Sequence, residues 1–234
     1  EVGATTLFGY SGFTGGSPDV AMPLINANNA GYITGVQIQN MGSTATQVTV
    51  SYTPSAAGTA CQETQTIGAN SSATFALTAF TAGGVCGDQR FIGSAEVTAN
   101  SAGNNLVAIV NQLNLGDNKG AAYEGFDPTA ATNSVVMPLI MDRNSGYFTG
   151  FSVANVGTSS ATVNCTFSGS SHTESATLAA GEAMAPIQAG QIADGYVGSA
   201  TCTAGSGAQI IGVVNELNTG LSGDAFLVYD AFNN

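Results

Sequence analysis

Apolar and small polar residues alternate with a period of two along most of this chain, in short runs separated by Gly, Asn and Ser. In Val48-Thr49-Val50-Ser51-Tyr52 the apolar side chains fall on one face, as do Ala95, Val97 and Ala99. Val36 and Ile38 alternate with Gln37 and Gln39, the signature of a half-buried strand. Leu106-Val107-Ala108-Ile109-Val110 is apolar throughout, which places it at the centre of a sheet with both faces covered. The pattern predicts strands at 20–26, 32–39, 46–53, 63–68, 73–78, 90–99, 106–114 and 121–126, and no segment has helical periodicity. Short strands with turn signals at intervals of about ten residues predict an all-β antiparallel sandwich, not a parallel sheet with crossover helices.

The pattern is written twice. Met22-Pro23-Leu24-Ile25, Gly31-Tyr32-Ile33-Thr34-Gly35 and Asn40-Met41-Gly42 recur as Met137-Pro138-Leu139-Ile140, Gly146-Tyr147-Phe148-Thr149-Gly150 and Asn155-Val156-Gly157, all at an offset of 115 (137 − 22). Farther on, Phe91 to Ala95 returns as Tyr196 to Ala200 and Val110 to Asn114 as Val214 to Asn218. Each copy is about a hundred residues, enough to bury its own core. The expected organisation is an extension at 1–18 followed by two tandem immunoglobulin-like sandwich domains, 19–128 and 129–234. The Asn-x-Gly element lies between two strands and reads as a hairpin turn. Asn111 and Asn215 follow apolar strands and suit backbone hydrogen bonding better than sugar contact.

A shorter element occurs three times: Tyr10-Ser11-Gly12-Phe13, Tyr123-Glu124-Gly125-Phe126 and Tyr229-Asp230-Ala231-Phe232. The second and third copies complete the two repeats as last strands, which leaves the first as a spare strand.

The cysteines refine the repeat. Cys165 aligns with Val50 and Cys202 with Val97, both at inward positions, so this pair is expected to bridge the core between the sheets, as in immunoglobulin-like sandwiches, although the Trp that packs on that bridge is absent. Cys61 and Cys86 fall where the offset drops from 115 to 105 and the first repeat is longer; they are expected to staple the longer loops. Metal binding by cysteine would need clustered ligands, and there is no Cys-x-x-Cys and one His. Two disulfides imply an oxidising compartment.

A formal charge of −12 with Arg90, Lys119 and Arg143 as the cations gives no basic patch for phosphate, so nucleic acid and anionic lipid are set aside as partners. No apolar run is long enough to cross a bilayer. Beginning at Glu1, the chain reads as a processed secreted product, its signal peptide removed, located outside the cell or on its surface.

Catalysis is not indicated. His172 is the only His and has no counterpart in the first repeat, and Glu96, Glu124, Asp127, Asp142, Glu216 and Asp230 are scattered over strands and loops. Asp142 to Gly146 and Asp117 to Gly120 have oxygen side chains near Gly but lack the terminal Glu of a calcium loop and contain Arg143 and Lys119, so they read as turns without metal. No cofactor is implied. Of the sequons Asn70-Ser71-Ser72 and Asn164-Cys165-Thr166, Asn70 is the better glycan acceptor.

The Gly-Tyr-x-Thr-Gly and Asn-x-Gly elements resemble, across nearly the whole chain, the tandem β-sandwich modules of secreted prokaryotic surface proteins. The spare first strand is similar to that of subunits in donor-strand-complemented pili and threads. This resemblance implies a non-enzymatic structural subunit of an extracellular filament or surface layer, a homopolymer assembled head to tail. Residues 1–18 would cross into a neighbour with Leu7, Phe8, Tyr10 and Phe13 as apolar anchors; the competing arrangement folds them back on the first repeat. The segment lacks the long apolar helix of type IV pilins. The alternative function is a monomeric surface adhesin or carbohydrate-binding module, for which Tyr32 and Tyr147 are the repeated aromatic candidates.

Overall fold

A computed structural model describes residues 6–101 and 105–234; residues 1–5 of the expected extension lie outside the described residues. The first half contributes β1 (Asp19–Ala27), β2 (Tyr32–Asn40), β3 (Thr46–Ala57), β4 (Cys61–Ile67), β5 (Ser72–Phe75), β6 (Phe91–Ala99), β7 (Leu106–Asn114) and β8 (Lys119–Glu124). After a 3-10 turn at Pro128–Ala130, capped by the Asp127 carboxylate, the second half contributes β9 (Ser134–Asp142), β10 (Phe148–Asn155), β11 (Ala161–Phe167), β12 (Thr173–Leu178), β13 (Ala183–Met184), β14 (Ile187–Gln188), β15 (Tyr196–Thr203), β16 (Ile210–Leu217), β17 (Phe226–Asp230) and β18 (Phe232–Asn233). These form four antiparallel sheets, ordered β1-β6-β3-β4, β5-β2-β7-β8, β13-β10-β16-β17 and β12-β11-β15-β9-β18, with β14 also on β10. The fold is an all-β sandwich, as the period-two pattern predicts. Val48, Val50 and Tyr52 are buried in the first core together with Val97, and Val163, Cys165 and Phe167 in the second.

The repeated motifs are the joints between facing sheets. Pro23 and Pro138 have no N–H to give a ladder, and the register slips there, between Met22 and Ile25 and again between Gly198 and Ala200 opposite β9. Tyr123 fills the first gap from the facing sheet: its hydroxyl accepts from Leu24 N at 3.2 Å and donates to Leu24 O at 2.6 Å. Tyr229 repeats this, accepting from Leu139 N at 3.2 Å and donating to Leu139 O. The Thr of Gly-Tyr-x-Thr-Gly ties the same strand from its other side, Thr34 Oγ1 accepting from Asn26 N at 2.9 Å and Thr149 Oγ1 from Met141 N at 2.7 Å. The second and third Tyr-x-x-Phe copies then change sheet: Tyr123 pairs with β7 whereas Phe126 bonds Ala21 of β1, and Tyr229 pairs with β16 whereas Phe232 pairs with β9.

The structure corrects two expectations. Asn-x-Gly is not a hairpin turn, because β2 and β3 belong to different sheets, as do β10 and β11. Its Asn is a buried junction: Asn40 Oδ1 accepts from Gly42 N at 2.9 Å, and Nδ2 donates to Thr44 O at 2.8 Å and to the Ile67 and Gly68 carbonyls. Asn155 does the same with Gly157, Ser159, Leu178 and Ala179. Local sequence gives the turn but not which sheet receives the next strand.

The second correction concerns Cys165 and Cys202. They are bonded, but they face each other on adjacent strands β11 and β15 of one sheet, not between sheets. Val50 and Val97 are likewise opposite on β3 and β6, so one cross-strand pair is apolar in the first half and covalent in the second. Cys61 bonds Cys86, tying the start of β4 to the segment between β5 and β6, where the first half is longer.

The two halves share a buried interface. The outward face of β13-β10-β16-β17 covers the edge of the first sandwich: β10 and β16 lie against β1, and β17 against β8. Alternation along β16 places Val213 in the first core and Val214 in the second. Ala21, Ala154, Ala183 and Ile211 cluster between the halves, small side chains that let the sheets approach. Ser152 Oγ donates to Pro23 O at 2.6 Å, and the Gln112 and Asn215 amides exchange hydrogen bonds of 3.1 and 3.0 Å.

Candidate functional site

The three Tyr-x-x-Phe copies, separated in sequence, meet at one place. β8 and β17 are equivalent edge strands lying side by side, with no ladder joining them among the described residues. Residues 6–16 run along this seam without forming a strand. A groove of about 290 Å³ is lined by Gly9, Tyr10 and Ser11, by Ala122 to Glu124, and by Val228 to Asp230.

Carboxylates hold the segment. Asp224 bridges it to β8, its two oxygens accepting from Leu7 N at 2.8 Å and Gly120 N at 2.9 Å. Glu124 Oε1 accepts from Ser11 N at 2.6 Å. Gly120 makes room: a Cβ there would lie 2.4 Å from Thr6 Cγ2 and 2.6 Å from Phe8 Cζ. Below the seam Lys119, almost fully buried, donates from Nζ to the Leu221 and Gly223 carbonyls at 3.0 Å. The segment's end is fixed where Ser17 and Leu106 exchange backbone bonds of 3.0 and 2.7 Å.

The seam is acidic and partly dry. Burial and the neighbouring Glu124 push the Asp230 carboxyl up to about 7, and its Oδ1 is buried without a hydrogen-bond partner. Glu216, one strand in, is pushed up to about 7 by burial, against the hydrogen bond donated by Thr149. The Tyr229 hydroxyl is raised by burial and by Glu216, opposed by its bond to Leu139.

Of the four expected anchors, Phe8 and Phe13 are half-buried, whereas Leu7 is 84% and Tyr10 62% exposed. Within this chain the segment thus lies back on its own seam, over both halves. Asn70 is exposed at the turn between β4 and β5 with φ 51°. Asp142, His172 and Tyr32 are each held by neighbouring groups. Asp142 is buried; burial raises its carboxyl, but Gly190 N at 2.6 Å, Ile192 N at 2.7 Å and Arg143 hold it below the usual range. His172 lies against Phe167 and bonds Glu174 at 3.2 Å. Tyr32 is half-buried edge-on to Phe226. Among the described residues no group of three or more His, Cys, Asp or Glu is placed to hold a metal, no cysteine is free, and no helix is long and apolar enough to cross a membrane.

The sequence points to Glu124, Asp230 and the apolar anchors through the triple repeat, but it reads Lys119 and Gly120 only as part of a turn and misses Asp224. The partners that bring Lys119, Gly120 and Asp224 together are about a hundred residues apart along the chain. No family model matches the chain, and neither does any curated protein or solved structure.

Proposed function

We propose that this chain is the structural subunit of an extracellular filament, a non-enzymatic homopolymer that assembles head to tail by passing its N-terminal segment to a neighbour. One observation carries the reading: the leading Tyr-x-x-Phe copy has no ladder of its own and rests on the seam between the two copies that do, with Leu7 and Tyr10 exposed. An apolar segment without ladder pairing of its own is suited to strand exchange between identical molecules. Two disulfides and the hydrogen-bonded Tyr123 and Tyr229 joints suit a stable polymer in an oxidising setting. The adhesin alternative is weakened because Tyr32 packs edge-on against Phe226 instead of standing as an open platform. Electron microscopy of the full chain beside a version lacking residues 1–16 tests the proposal. Fibres from the full chain alone are expected; monomers from both would overturn it.

A further inference from the structure

We infer that the acceptor for the donated segment is the β8–β17 seam of a second copy of this chain, so that assembly is an exchange of one contact set between copies. This rests on the filament reading and adds to it the identity of the receiving surface. The seam is complete without the segment: β8 is held by β7, β17 by β16, and Lys119 and Gln112 join the halves beneath it. Among the described residues the segment adds two main-chain N–H groups, from Leu7 and Ser11, given to Asp224 and Glu124, and the packing of Thr6 and Phe8 over Gly120. Every copy offers the same acceptors, so an incoming segment from a neighbour makes the same bonds.

The link to the folded body permits the exchange. Thr14 and Gly15 are exposed, a Cβ at Gly15 would meet nothing within 4 Å, and the link joins the body at Ser17, which exchanges backbone bonds with Leu106. Residues 6–16, extended at about 3.3 Å each, reach roughly 35 Å from that anchor, enough to cross to an adjacent molecule. Folded back, the segment leaves Leu7 and Tyr10 exposed, and Leu221 and Leu227, which flank Asp224, are 50% and 57% exposed. A second molecule brought up against this face would cover them. The occupant is therefore a copy of this chain, whose segment already fits the groove, and the exchange retains the bonds of the closed monomer while adding buried apolar surface.

A mixture of full chain and a chain lacking residues 1–16 tests the assignment, because the truncated chain's seam can be filled only by another molecule. Native mass spectrometry is expected to show a one-to-one heterodimer. In the truncated chain Gly120→Leu, which fills the floor of the groove, should abolish it, and Asp224→Ala should weaken it at least tenfold. No heterodimer with a folded truncated chain overturns the inference, as does a heterodimer indifferent to Gly120→Leu. Should the truncated chain not fold, Gly120→Leu in the full chain gives the same decision: loss of fibres with an unchanged far-ultraviolet circular dichroism spectrum upholds the seam. Fibres that persist show that the filament reading stands while the acceptor lies elsewhere.

Discussion

At the scale of single residues, the informative groups are those whose role depends on a partner far along the chain. Tyr123 and Tyr229 each fill a strand gap with one hydroxyl that accepts and donates. Tyr123→Phe strands both Leu24 groups in a dry site, so a loss on the order of 1–3 kcal/mol in denaturant unfolding is expected. Tyr229→Phe should cost less, since Tyr229 is half-buried where Tyr123 is buried. The repeat made these tyrosines visible as a pair, but the bulge they serve lies 99 residues away in the first half, and no local pattern announces it. The seam carboxyls give a pH signature. Asp230 and Glu216 rise in the folded chain from 3.8 and 4.5 to about 7. A raised folded value means the folded state holds its proton more tightly, so this stabilisation is fully present below about pH 4 and is lost as pH rises through about 7. Asp127 and Asp142 are lowered and act oppositely, losing their contribution as pH falls below about 4. The melting temperature should therefore rise between pH 8 and pH 5. Asp230→Asn should flatten that rise by a few degrees, from on the order of 1 kcal/mol at about 2–4 °C per kcal/mol. An unchanged pH profile in that variant would show Asp230 ionised throughout.

At the scale of elements, the strands were legible and their neighbours were not. Alternation placed Val48 to Tyr52 and Leu106 to Val110 correctly, because period-two burial is a local property. Sheet membership is not local, which is why Asn40-Met41-Gly42 read as a hairpin and the Cys165–Cys202 bond as a bridge between sheets. Once the register is known, that bond has a natural control, since Val50 and Val97 occupy the equivalent cross-strand pair. The double variant Cys165→Val, Cys202→Val should fold and lose about 2–4 kcal/mol, the loop-closure contribution, with no cavity cost. Cys165→Ser, Cys202→Ser should lose more, by burying two hydroxyls. Denaturant unfolding of the two variants separates the effects; equal losses would mean that the sheet adapts to polar groups at this pair. The Cys61–Cys86 bond acts on a different element, the long segment before β6. Removing it should open that segment to proteolysis around Val85, which is 67% exposed, while leaving the strands protected.

At the scale of the whole molecule, the two halves cannot be understood apart, although the repeat invites it. β16 is buried on both faces because Val214 serves its own core while Ile211 and Val213 are covered by the first half. The same double burial holds for β1, where Met22 faces one core and Ala21 the interface. Sequence reading found the repeat but not this interface, since Ala21, Ala154 and Ala183 look like ordinary small residues of an alternating strand. Between the halves, apolar packing is reinforced by Ser152 to Pro23, by the Gln112–Asn215 pair and by Lys119 capping the carbonyls of Leu221 and Gly223. The full chain should therefore unfold in one calorimetric transition, with the van't Hoff enthalpy equal to the measured enthalpy. Ala154→Asp, which buries a charge against Ala21 and Ile211, should split the transition in two without removing either core. Two transitions in the unaltered chain would instead make the halves independent, and the contact between β8 and β17 would then contribute little to holding them together.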